Sequence, residues 1–163
     1  MSRAFVKEDG NDLEPLPDLP ISPHPNYVTQ RGFAALQSRL AEAQISLTAL
    51  RARTERLDKL PEAAAERDIR YLEARLRSAI VVAPDNHPAN AVAFGAHVTV
   101  AGVDGLTRIY QITGEDEANA ALGRIAPHSP LARALIGAEP GDVVTWRKPT
   151  GQEDIEIISI RYP

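Results

Sequence analysis

The sequence contains no cysteine, so a disulfide framework, thiolate chemistry and cysteine-ligated zinc are all excluded, and the composition suits a reducing cytoplasm. Long hydrophobic runs are missing too. No apolar stretch approaches the roughly eighteen residues that cross a bilayer, and the start of the chain has no signal-peptide core, so a cytoplasmic protein without membrane contact is expected. The four histidines, His24, His87, His97 and His128, lie in separate segments, without the short-loop or i, i+4 spacing of a metal site. GxGxxG, Walker and GxSxG patterns are absent as well, which leaves nucleotide binding and nucleophilic catalysis without sequence support. The expectation is a non-enzyme with no cofactor, no metal and no catalytic residues.

What the sequence does have is a long regular seam. Phe33, Leu36, Leu40, Ala43, Leu47, Leu50, Thr54 and Leu57 fall alternately three and four apart, the spacing of a coiled coil. Thr29 offers an N-cap oxygen just before them. Beyond Leu60 and Pro61 the spacing resumes at Ala65, Ile69, Leu72, Leu76 and Ala79, and Pro61 suits the first turn of a new helix. Two seams so closely linked bury their stripes against each other, which predicts an antiparallel helical hairpin over 29–80, its first helix roughly 40 Å long. Pairs three apart, Arg39 with Glu42 and Arg70 with Glu73, are expected to add a few tenths of a kcal/mol each on its surface.

Charge separates this arm from the rest. The net charge of −4 is made of −3 over residues 1–28, +3 over 29–80, −1 over 81–90 and −3 over 91–163. A solvated coiled-coil exterior accounts for the basic arm; a role against nucleic acid or an acidic channel is the alternative. Residues 1–28 hold five prolines among acidic residues without helical or strand periodicity, and read as an extended, poorly ordered leader.

After the arm, Pro84 and Pro88 with their turn-forming neighbours make a linker over 81–91. Strands follow at His97–Ala101 and Leu106–Ile112 around an Asp104-Gly105 turn, then at 123–126, Val143–Arg147 and Ile155–Arg161. Ser129 as N-cap, Pro130 at the first helical position and Gly137 past the end mark a short helix with Leu131 and Leu135 facing inward. The fold class is α+β, the hairpin being followed over 92–163 by a mostly antiparallel sheet with one covering helix.

Two acidic clusters are the candidate sites. At the far end of the arm lie Asp58 and Glu62, with Glu66 one turn further back; Glu62 suits the positive end of a helix dipole, and magnesium would require further converging oxygens. Glu115, Asp116 and Glu117 sit in a loop after Thr113-Gly114 and could contact a cation or a partner.

The segments 94–100 (FGAHVTV), 110–118 (YQITGEDEA), 123–137 (GRIAPHSPLARALIG) and 140–144 (PGDVV), in this order, resemble the C-terminal domain of the bacterial Gre transcript-cleavage factors. Thr29 to Phe33 and the hairpin behind them resemble the family's N-terminal coiled coil. The resemblance implies an FKBP-like C-terminal domain that docks on RNA polymerase at the entrance of the secondary channel, with the coiled coil sent inward and nucleic acid in the transcription complex within its reach. It also implies polymerase contacts at Asp116, Glu117, Ser129, Pro130, Leu131, Ala132 and Arg133. Cleavage-stimulating members carry a Gly-Asp-Leu-Ser-Glu-Asn type of tip that helps hold a catalytic magnesium, and nothing between Arg51 and Tyr71 reproduces it. The hairpin is about fifteen residues shorter than theirs, a loss of roughly 11 Å of reach, and resembles the short-armed regulators of nucleoside diphosphate kinase. A monomeric elongation regulator without cleavage activity is therefore expected. A cleavage factor with a displaced tip at Asp58 and Glu62, and a structural adaptor dimerising through its seam, are the alternatives.

Overall fold

The computed structural model describes residues 14–163. Thr29 caps the first helix, α1 (Gln30–Arg51), its hydroxyl accepting from Gly32 N at 2.9 Å. The second helix, α2 (Leu60–Ser78), carries Pro61 in its first turn, and Asp58 Oδ1 accepts from Leu60 N at 3.0 Å. The two helices pack along the predicted seams, with Leu36 and Leu72 buried and Phe33, Leu40, Ala43 and Leu76 around them. Leu47 and Ala63 are buried further out along the arm.

The first helix is shorter than its seam predicts. It stops at Arg51, about 33 Å long at 1.5 Å per residue, and residues 52–59 form a loop. Thr54 and Leu57 therefore leave the seam, Leu57 being 81% exposed. The loop has its own fastening: Arg53 Nε donates to Leu50 O at 3.0 Å and its Nη2 to Asp58 O at 3.1 Å. A surface pairing differs as well, since Arg70 bonds Asp18 and Leu16 O.

The arm's base is closed by two very short parallel strands, β1 (Tyr27–Val28) and β2 (Ile80–Val81). They join the end of the leader to the start of the linker through Ile80 N to Asn26 O at 2.8 Å and Val82 N to Val28 O at 3.0 Å. Two residues are too few to show a period, which is why neither strand is legible in the sequence. The leader thus divides. Residues 1–13 lie outside the described residues, whereas Asn26 and Val28 are buried at 6% and 2% exposure, so the expectation of poor order does not extend to that end.

The body is a five-stranded sheet of order β5-β4-β3-β7-β6, formed by β3 (His97–Ala101), β4 (Thr107–Ile112), β5 (Arg124–Ile125), β6 (Val143–Lys148) and β7 (Gly151–Arg161). Its pairings are antiparallel except β4 with β5, which is parallel, so the sheet is mostly antiparallel as expected, with one parallel pair at its edge. The third helix, α3 (Pro130–Leu135), begins at Ser129, whose Oγ accepts from Ala132 N at 3.2 Å. It lays Leu131, Ala132 and Leu135 on Val98, Val100, Ile112, Ile155 and Ile157, the core of the body.

Candidate functional site

Arm and body meet at the acidic loop. A 3-10 turn over Glu115–Glu117 faces the first turn of α1 and the last turns of α2. Arg75 of α2, 2% exposed, donates from Nε to Asp116 Oδ2 at 2.7 Å and from Nη2 to Asn26 Oδ1 at 2.7 Å, with Glu115 Oε2 at 3.6 Å. Asn26 returns the contact by donating to Arg75 O at 2.9 Å. Tyr71, one turn earlier, donates its hydroxyl to Asp116 Oδ1. Burial, then the bond and charge of Asp116, push the Tyr71 phenol up to about 12, because ionising it would put two anions side by side.

Glu117 makes the companion clamp on α1. Thr29 Oγ1 donates to its Oε2 at 2.6 Å, Arg31 Nε donates to its Oε1 at 2.6 Å, and Arg31 Nη2 donates to Gln111 Oε1 at 2.7 Å. Ser22 Oγ donates to Glu115 Oε1 at 2.9 Å, so all three carboxylates of the loop bond the leader or the arm. Gly32 and Gly114 permit the close approach: a Cβ at Gly114 would lie 2.6 Å from Tyr27 O, and one at Gly32 2.6 Å from Glu117 Oε2. The two loop residues expected to meet a partner, Asp116 and Glu117, are thus turned inward, their side chains 11% and 7% exposed.

The other expected contacts also separate. Leu131 and Ala132 are core residues at 3% and 0% exposure, and Ser129 Oγ is occupied with Ala132 N and with Ala126 O, to which it donates at 2.8 Å. Pro130 and Arg133 are the exposed members. They line a shallow groove with Ala134, Thr145 and Arg147.

At the tip, Glu62 accepts from Arg56 Nε at 2.9 Å and Nη2 at 2.7 Å, with Arg53 Nη2 at 3.7 Å. The bidentate hydrogen bonds from Arg56, and then the charges of Arg56, Arg53 and Lys59, hold the Glu62 carboxyl below the usual range against a smaller opposing desolvation; the same bonds raise Arg56. Both carboxylate oxygens are spent on guanidinium. Asp58 gives Oδ1 to the backbone, and Glu66 Oε1 accepts from Arg51 at 2.8 Å. Among the described residues no three histidine or carboxylate side chains converge as metal ligands would, and the tip does not bring Asp58, Glu62 and Glu66 together as free oxygens.

Arg75, Asn26, Tyr71 and Arg31 were not singled out from the sequence. Arg75 had one visible signal, a cation three residues after Leu72 on the inward stripe of an otherwise conventional seam.

Residues 87–162 match the family model described as transcription elongation factor, GreA/GreB, C-term. The transcription elongation factor GreA of Thioalkalivibrio sulfidiphilus is 44% identical over 98 residues, covering 58% of this chain and 61% of the relative. GreB of Neisseria meningitidis serogroup A is 44% identical over 98 residues, covering 60% of each. The chain therefore spans about 60% of the length of the curated relatives it matches. Among solved structures, GreA factor homolog 1 of Thermus thermophilus aligns with a TM-score of 0.40 at 23% identity, covering 85% of this chain and 99% of the other. The GreA/GreB factor of Nitrosomonas europaea aligns at 0.42 and 19%, covering 84% and 99%. No helix among the described residues is long and apolar enough to cross a membrane.

Proposed function

Because residues 87–162 match the GreA/GreB C-terminal family model, we propose that the chain is a Gre-type elongation regulator that binds RNA polymerase at the secondary channel and does not stimulate transcript cleavage. The family match supports polymerase as the partner. The observation that carries the second half is the bidentate capture of Glu62 by Arg56. A magnesium-holding tip needs carboxylate oxygens free to approach within about 2.1 Å of the ion, and freeing Glu62 would break two charge-assisted hydrogen bonds.

In this reading Pro130 and Arg133 meet the polymerase, while Ser129, Leu131 and Ala132 hold the helix that presents them. Asp116 and Glu117 contribute by fixing the arm to the body, so that docking one aims the other. The protein works as a monomer, since its seam residues are already consumed within the hairpin; this also removes the seam that an adaptor would use.

The test is a backtracked transcription complex. Transcript length is expected to stay unchanged when the protein is added, and cleavage by a GreA factor is expected to fall as the protein competes for the channel. Shortened transcripts that disappear when Asp58 and Glu62 are both changed to Ala would establish cleavage stimulation instead. Absence of any competition would remove both readings.

A further inference from the structure

Behind the junction, a cavity of about 210 Å³ opens between the first turn of α1, the segment after β2 and the strand pair β3–β4. Its apolar lining includes Val82, Pro84, Phe94 and the ring of Tyr162, on which His87 stacks at 3.7 Å between centroids. Its floor is polar. Gln111 of β4, His97 of β3 and Arg161 of β7 are direct cross-strand partners in one row, so the pleat turns all three side chains to the same face of the sheet. Gln111 and His97 line the cavity, and Arg161 stands beside His97 at the end of the row.

All three present donors. Arg31 donates to Gln111 Oε1 at 2.7 Å, which orients the amide and leaves on Nε2 two hydrogens that no acceptor among the described residues takes. His97 Nδ1 is sealed from solvent without a partner. A proton there would be a buried donor with nothing to accept it, so the neutral ring carries its proton on Nε2, which thereby becomes a donor as well. Burial, then the charges of Arg161 and Arg31, hold the ring below its usual range and keep it neutral near pH 7. The rest of the polar lining leaves this character unchanged. Thr29 is engaged with Glu117 and Gly32 N, His87 Nδ1 lies against Pro88 O, and Gln30 and Asn86 are exposed. Glu117 balances the charge of Arg31, whereas Arg161 has no carboxylate partner among the described residues.

We infer that this cavity binds a small monocarboxylate carried on an apolar ring, of the benzoate class. One carboxylate oxygen accepts from His97 Nε2 and the other from Gln111 Nε2, side chains whose Cβ atoms lie roughly 5 Å apart as direct cross-strand neighbours. Arg161 supplies the opposite charge, and the ring of the ligand packs on Phe94, Pro84 and Val82. Two neutral donors and one uncompensated cation match a single negative charge better than the nearly doubled charge of a phosphate monoester. The volume lies below that of a drug-sized pocket and suits a single ring. Since α1 and the sheet both line the cavity, occupancy also ties the arm to the body. The inference does not rest on the polymerase reading.

The experiment is an NMR titration of the full chain with benzoate at neutral pH. Benzamide keeps the shape without the charge, acetate keeps the charge without the ring, and phenyl phosphate carries the competing anion. Benzoate is expected to move the His97 ring and Gln111 side-chain amide signals, with benzamide and acetate about tenfold or more weaker, since one lacks the charge-assisted bonds and the other the apolar body. In the free protein the ring nitrogen shifts of His97 are expected to show the proton on Nε2. Arg161→Gln, at an exposed position, is expected to weaken benzoate about threefold or more and to leave benzamide unchanged; if that variant does not fold, the ligand series on the unaltered protein decides alone. The inference is overturned if benzoate moves neither signal at millimolar concentration, if His97 carries its proton on Nδ1, if benzamide, acetate or phenyl phosphate binds as well as benzoate, or if folded Arg161→Gln binds benzoate unchanged.

Discussion

Both ends of the arm hold a carboxylate with arginine, but they draw the partners from different distances along the chain. At the tip, Glu62 is bonded by Arg56, six residues away; at the base, Asp116 is bonded by Arg75 and Tyr71, 41 and 45 residues away. The first contact shapes a loop. The second, together with the Glu117 clamp on Thr29 and Arg31, sets where the arm sits on the body, because it joins segments far apart along the chain. Exposure differs in the same sense: Arg56 keeps 40% of its side chain accessible, Arg75 only 2%. Solvent screens the tip pair, so it contributes modestly, whereas the buried pair penalises loss of either member.

The widest gap between the two ends should come from Arg75→Ala. It leaves Asp116 buried without its cation and Asn26 without its donor, and a destabilisation of about 3–5 kcal/mol is expected, read by denaturant unfolding. Small-angle scattering should also report an arm freed from its angle to the body. An Arg75→Ala protein as stable as the original would make base and tip equivalent.

Gly114→Ala tests the same base without touching charge. The added methyl would meet Tyr27 O at 2.6 Å, and backbone cannot swing aside as a side chain can. A cost of about 1–3 kcal/mol is expected, measured as a lowered unfolding midpoint; an unchanged midpoint would mean the junction is looser than these contacts require.

Tyr71→Phe sharpens the comparison through pH. The folded phenol titrates near 12 against an ordinary value of 10.0, so between these values the unfolded chain has lost a proton that the folded one keeps. Stability from this group is therefore complete below about 10 and declines as pH rises toward about 12. Tyr71→Phe should lower stability at pH 8 by about 2 kcal/mol through loss of a hydrogen bond to a charged group. The difference between the two proteins should then shrink on the alkaline side, and a difference that stays flat from pH 8 to 12 would contradict the assignment.

Glu62→Gln should have the smallest effect on folding. Its depressed carboxyl contributes stability above the ordinary glutamate range that is lost as pH falls through the folded value. The variant should therefore differ from the original at neutral pH and converge with it in acid, with the arm's attachment unaltered. A scattering profile that changes as much as in Arg75→Ala would erase the distinction between the two ends.

Local features were legible in proportion to how local their chemistry is. Thr29 and Ser129 cap their helices as their positions suggest, since an N-cap needs only the amide three residues on. The hairpin's stripes were readable because each helix carries its own period; the end of α1 was not, because Thr54 and Leu57 keep the spacing where α2 offers nothing to pack against. In the body, strands and turn residues were readable, but the parallel placement of β5 was not, since direction depends on the route taken by residues 113–123.

The same boundary runs through the candidate sites. Sequence by itself determined that an acidic loop, a capped short helix and a carboxylate-bearing tip exist, because residue type and neighbours within one turn suffice for that. Only the tertiary structure decided that the loop's charges face inward, that Leu131 and Ala132 are core, and that Glu62 is already occupied. Charge alone does not say whether a carboxylate meets water or a guanidinium. That is settled by which distant segment packing brings alongside, as when α2 places Arg75 between Asn26 and Asp116.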